Sequence, residues 1–161
     1  MSLVITFLYA ASKKTPKEDG LGNILLQLPK LYYILGIFVV IGGIGLLIYA
    51  FVFANEDDKI LATISSITAV LAGSILFAKG YISNLKVTDF EIIETTMFGH
   101  RKAIQWNEIK DLSFGKVSLE LKITSHSTHI KAHMHLIGFQ ELLTKLEEKT
   151  GKTKTQIGIP N

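Results

Sequence analysis

Two uncharged apolar runs, Leu31 to Ala54 and Ile60 to Ala78, constrain this chain more than any other feature. Between Lys30 and Lys79 the only charges are Glu56, Asp57, Asp58 and Lys59. As a helix the first run reaches roughly 36 Å, enough to cross a hydrocarbon core of about 30 Å with some tilt. The second reaches about 28 Å and can extend through Gly80, Tyr81 and Ile82 while Lys79 snorkels to the headgroups. A helix in a soluble bundle needs a polar face, and neither run has a charged one. The runs also account for a hydrophobic content of 48% over 161 residues, high for a soluble chain.

Small residues recur at a seven-residue spacing in both runs: Gly36, Gly43 and Ala50 in the first, Ser66, Gly73 and Gly80 in the second. Ala69 adds a small-x-x-x-small step to Gly73. Such stripes let helix backbones approach closely in lipid. They serve packing within one hairpin or a seam between copies, and the first is the favoured expectation.

Lys13, Lys14, Lys17 and Lys30 precede the hairpin, Lys79 and Lys86 follow it, and the connecting loop around Glu56 to Asp58 holds one lysine. The positive-inside bias therefore predicts a multi-pass protein of the cytoplasmic (inner) membrane with both termini cytoplasmic. Tyr32, Tyr33 and Tyr81 would share the cytoplasmic interface as an aromatic belt.

Residues 1–30 form an N-terminal strand and interfacial segment in this reading. The apolar stretch Leu3 to Ala10 is a strand or a membrane-associated segment; with no positive charge ahead of Leu3, a signal h-region is disfavoured. Thr15 to Gly20 reads as a loop. Leu21, Ile24, Leu25 and Leu28, at i, i+3, i+4 and i+7, predict a short interfacial helix ending before Pro29. Residues 31–82 are the two-helix hairpin, with helices over about 31–54 and 60–80.

From Asn84 the apolar period becomes two, the sign of strands with one dry and one wet face. Strands are expected at Val87 to Thr95 and His100 to Trp106, turning at Gly99. Val117, Leu119, Leu121 and Ile123 alternate with polar residues, and Gly115 and Lys116 read as a two-residue hairpin connection from Leu112 and Phe114. Ser125 to Ser127 makes the next turn. Ile130, Ala132, Met134 and Leu136 then point inward while His129, Lys131, His133 and His135 point outward. One amphipathic helix follows, with Phe139, Leu142, Leu143 and Leu146 on one face and Gly151 as its cap. Residues 151–161 read as a polar tail.

Strands closed by one helix, with the run Gly99-His-Arg101-Lys-Ala-Ile104-Gln-Trp106-Asn-Glu-Ile109-Lys-Asp-Leu112, resemble bacterial pleckstrin-homology-like domains over about residues 84–150. Many such domains are fused to a two-helix membrane hairpin. The resemblance implies a membrane α-helical hairpin plus an α+β cytoplasmic domain: an antiparallel sheet or partial barrel capped by one C-terminal helix. About five strands are legible where that fold usually has seven, and Leu3 to Ala10 is a candidate for a missing one. A binding or scaffolding habit is implied, not an activity. Trp106 falls at the packed corner where the second strand ends.

Chemistry is sparse. The absence of cysteine excludes thiol catalysis, disulfides and cysteine metal sites. Of the five histidines, His129, His133 and His135 share a strand face, yet no closely spaced carboxylate completes a ligand set. No cofactor, metal or catalytic residue is expected. The apolar runs hold no Asp, Glu, Lys, Arg or His that would mark ion transport. A net charge of +3 suits anionic lipid and is too mild for nucleic acid.

The expected function is thus a membrane-anchored binding or scaffolding module that recruits a protein partner or self-assembles at the cytoplasmic face. A small accessory subunit of a larger membrane complex is the alternative, and a histidine-dependent metalloenzyme the weakest. The candidate contact is the turn Thr96 to Lys102. There Met97 and Phe98 are apolar where a soluble hairpin places polar residues, and His100, Arg101 and Lys102 follow, as suits an interfacial lipid or partner contact.

Overall fold

The computed structural model describes residues 14–159, so the expectation for Leu3 to Ala10 lies outside the described residues. The chain divides into two compact units, residues 30–82 and the remainder. Two long apolar helices pack as a hairpin, and antiparallel sheets with a short C-terminal helix make the α+β rest.

The hairpin consists of α1 (Leu31–Val52) and α2 (Glu56–Tyr81). Both are long and apolar enough to cross a membrane, and only 17% and 11% of their most apolar windows are buried, unlike the core helix of a soluble protein. Their buried residues are Gly36, Gly43, Ala50 and Ser66, Gly73, Gly80, so the two stripes face each other within the hairpin. Contact is backbone to backbone: a Cβ added at Gly36 would lie 2.6 Å from the Phe77 nitrogen, and one at Gly80 2.6 Å from the Tyr33 nitrogen. The Ser66 hydroxyl donates to the Gly43 carbonyl at 2.7 Å. Glu56, Asp57 and Asp58 form the first turn of α2 instead of the expected loop, because carboxylates complement the positive end of a helix dipole.

The other unit begins with β1 (Lys17–Glu18) and β2 (Ile24–Gln27), which corrects the expected interfacial helix. Ile24 and Leu26 are buried while Leu25 and Gln27 are half-buried, a period of two that the helical spacing had masked. Asp19 accepts from the Leu21 and Asn23 amides, and Gly22 takes φ +76°, so the intervening residues make a turn. The buried Pro16 ring fills the space where a Cβ on Gly138 would sit.

Strands β3 (Asn84–Val87), β4 (Glu91–Thr95) and β5 (Arg101–Gln105) complete a five-stranded antiparallel sheet in the order β1-β2-β3-β4-β5. The expected single strand Val87 to Thr95 is split, because the Thr88 hydroxyl accepts from the Phe90 and Glu91 amides and turns the chain. A second antiparallel sheet holds β6 (Asp111–Gly115), β7 (Glu120–Thr124) and β8 (His129–His133). Its first connection spans residues 116–119, longer than the two residues expected. Leu119 takes φ +54° and donates to the Gly115 carbonyl at 2.7 Å, and Val117, expected inside, is 99% exposed.

Helix α3 (Phe139–Thr150) buries Phe139, Leu142, Leu143 and Leu146, the expected face, and ends on Gly151 at φ +70°. These pack with Leu26, Leu85, Ile92, Ile104, Leu121, Ile123 and Ile130 in one core. The expected polar tail contains a further helical turn, α4 (Lys154–Ile157), whose Ile157 is buried in that core.

Candidate functional site

Strand register sorts the sheet's loops between two ends. Gln27 pairs with Asn84, Asn84 with Thr95, and Thr95 with Arg101. The end where the chain leaves β2 for the helices and returns into β3 is therefore the end that carries the β4–β5 turn. At the opposite end, Ile24 pairs with Val87, Val87 with Ile92, and Ile92 with Ile104. There lie the β1–β2 and β3–β4 turns.

At the first end the turn is tight: Thr96 donates to the His100 carbonyl and Gly99, at φ +78°, to Thr96, both at 2.9 Å. Phe98 at its tip is 75% exposed, whereas Met97 is half-buried. His100 and Arg101 are exposed, and Lys102 is half-buried opposite Glu94 on β4. Burial pushes the Glu94 carboxyl above its ordinary range, opposed by the charge of Lys102. The same carboxylate lies against the Lys131 backbone amide, which joins β8 to this end of the sheet.

Sequence reasoning did not find what β7 and β8 contribute. Lys122 and Lys131 are direct cross-strand partners. With His129, Ser113 and Ser118 they line a shallow groove of about 400 Å³. Desolvation, then the charges of Lys102, Lys122 and Lys131, lowers the pKa of His129. The alternating pattern had both lysines outward, but only the register could set them face to face. His133 and His135 lie apart from this groove's lining, with ring centroids 4.8 Å from each other. Among the described residues, no three His, Asp or Glu side chains gather as metal ligands.

Trp106 opens a 3₁₀ turn (Trp106–Glu108) after β5 and is half-buried against the core, not enclosed by it. Its indole N–H donates to the Thr88 carbonyl at 3.1 Å, which ties this corner to the β3–β4 turn. Beside it, Phe90 is 82% exposed and borders a groove of about 510 Å³ lined also by Asp89, Gln105, Trp106 and Lys149.

No family model, curated sequence or solved structure matches the chain.

Proposed function

We propose that the chain is a membrane-anchored module of the pleckstrin-homology-like type that recruits a protein partner, or further copies of itself, at the cytoplasmic membrane face. The observation that carries this reading is the insertion of a hairpin of spanning length between two directly paired strands, β2 and β3. A domain strung that way is held to the bilayer at two points. The likeness in fold rests on four strands, β2 to β5, a second sheet of three, β6 to β8, and the closing α3. Together these supply the seven strands and one helix that the resemblance implies, with β2 in the place of the strand sought among the first residues. For recruitment, Phe90 offers an exposed aromatic beside a groove at the β3–β4 turn, the kind of feature a protein partner buries.

Two measurements test the reading on the full-length protein, and native cysteine does not interfere because the chain has none. A cysteine at Asp57 should react with an impermeant reagent in intact cells, and one at Lys152 should not. Photo-crosslinking from position 105, in the lining of the same groove, should capture a discrete protein in native membranes, and Phe90→Ser should abolish the capture. Reversed labelling would refute the topology, and unchanged capture by Phe90→Ser would refute the surface.

A second reading, a small accessory subunit contacting a larger complex through its helices, draws on Gly42 and Gly45. Among the described residues nothing lies within 4 Å of a Cβ built at either. Those outward glycines leave room for a neighbouring helix to approach. Co-purification in mild detergent that survives loss of the soluble unit separates this reading from the first.

A further inference from the structure

We infer that the outer face of β6, β7 and β8 binds an extended acidic segment of the recruited protein, with Lys122 holding one carboxylate of that segment. This rests on the recruitment reading above and names the chemistry of the partner.

Strand register sets the geometry. The Ser125 amide donates to the Thr128 carbonyl at 2.9 Å, and alternation along the ladder from that bonded pair leaves Lys122 and Lys131 as a non-hydrogen-bonded pair. Side chains of such pairs stand closest, so two ammonium groups are set together where like charges oppose sheet formation. The Lys131 amide, turned away from β7, meets the Glu94 carboxylate instead. On the other side of Lys122 stands Ser113 of β6. Ser113, Lys122 and Lys131, all exposed, thus form a row across three strands, roughly 10 Å long at about 4.8 Å per strand.

The charges decide the ligand. Glu120 lies 3.7 Å from Lys131 and offsets it, and Lys102 stands opposite Glu94 on the first sheet. Among the described residues no ion pair reaches Lys122. His129, in the same groove, has its pKa lowered by desolvation and then by Lys102, Lys122 and Lys131, so its ring is uncharged at neutral pH. One unmatched positive charge remains in the lining. It complements a single carboxylate; a phosphoryl dianion would meet Glu120, and a bilayer surface gathers several unpaired cations together. The imidazole and the hydroxyls of Ser113 and Ser118 supply hydrogen-bonding groups beside that charge. The groove is shallow and lies on a sheet face, whereas small ligands are held in concave sites that enclose most of their surface. An extended polypeptide with an acidic side chain over Lys122 fits it.

The test uses the full chain in native membranes and a zero-length carbodiimide, which joins an amine to a carboxylate only where the two touch. Peptide mapping should find the Lys122 amine joined to an Asp or Glu of another protein, within an acidic segment. A labelled synthetic peptide of that segment should bind the full chain in nanodiscs. Lys122→Gln should weaken that binding about threefold to tenfold, as should replacing the joined acid by its amide. Lys122→Gln should melt no lower than the wild type, because the substitution removes a like-charge contact. A Lys122 amine joined only to carboxylates of this chain or of a second copy, a peptide indifferent to Lys122→Gln, or a variant that melts lower overturns the site. Protection of Lys122 from acetylation in phosphatidylglycerol vesicles that contain no other protein would assign the face to lipid and overturn it too. Photo-crosslinking at position 105 separates the two levels. Capture there with no cross-link at Lys122 refutes this site alone, and capture at neither refutes the recruitment beneath it.

Discussion

Gln27 and Asn84 are cross-strand partners although the whole helical hairpin lies between them in the chain. The sheet-forming unit therefore cannot be excised as the residues after the hairpin. Leu26 on β2 is fully buried and Ile24 nearly so, beside Leu85 and Val87 on β3. Losing β2 removes two core side chains worth about 2–5 kcal/mol each, comparable to the total stability of a small domain. Residues 84–161 alone should show no cooperative melt by circular dichroism. Residues 14–27 joined to 84–161 through a short glycine-containing turn should melt cooperatively, and failure of that fusion would contradict the pairing.

In the hairpin, glycines on and off the contact stripe should behave oppositely. Gly36→Ala and Gly80→Ala drive a methyl group into facing backbone, so each should cost about 1–3 kcal/mol in detergent unfolding. Gly42→Ala and Gly45→Ala meet no neighbour among the described residues and should cost nothing or slightly stabilise through helix propensity. Ser66→Ala, which loses the bond to the Gly43 carbonyl, should cost about 0.6–2 kcal/mol. Equal effects at Gly36 and Gly42 would rule out the packing described.

Half-burial of Trp106 separates its ring from its hydrogen bond. Trp106→Phe keeps most of the apolar contact and loses the bond to Thr88, so it should cost about 1 kcal/mol. Trp106→Ala should cost about 2–4 kcal/mol, below a fully enclosed tryptophan. Chemical denaturation of the fused sheet unit measures both, and a Phe variant as damaged as Ala would place the weight on the bond.

Two carboxylates should bend the pH–stability profile in opposite senses. The Asn23 side-chain amide, then Lys86 at 2.9 Å, holds Asp19 well below the usual carboxylate range. Its contribution is present above the unfolded pKa of about 3.9 and is lost as pH falls below it. Asp19→Asn should therefore lower the melting temperature at pH 7 and converge with wild type in acid. Glu94 is raised by burial, so its folded state is favoured below the unfolded pKa of about 4.3, and that advantage disappears as pH rises through the folded value. Glu94→Gln should raise the melting temperature at pH 7 and make little difference near pH 4. Melts of the fused sheet unit from pH 3 to 8 check both signs.

The helices, the stripes that join them and the buried face of α3 are legible in the sequence because each repeats one spacing over several turns. β2 is not, since four residues within a leucine-rich stretch satisfy a helical and a strand period together. Val117 looked inward by alternation, but Leu119 adopts a left-handed conformation that breaks the strand before Glu120. Phe98 was legible as an apolar residue in a turn. The facing of Lys122 and Lys131 was not, because alternation gives the face of each lysine while only the pairing register decides which residue it meets across the strands.

The position of the hairpin within the sheet also sets an order of events during synthesis. β2 leaves the ribosome before either helix, and its neighbour β3 only after both. Until the second helix is made, the β2 edge that β3 will cover has no strand to pair with, and Ile24 and Leu26 have no core to enter. Sheet closure thus reports that both helices have been completed, and a chain stalled between them presents a sticky strand that a protease or chaperone can recognise.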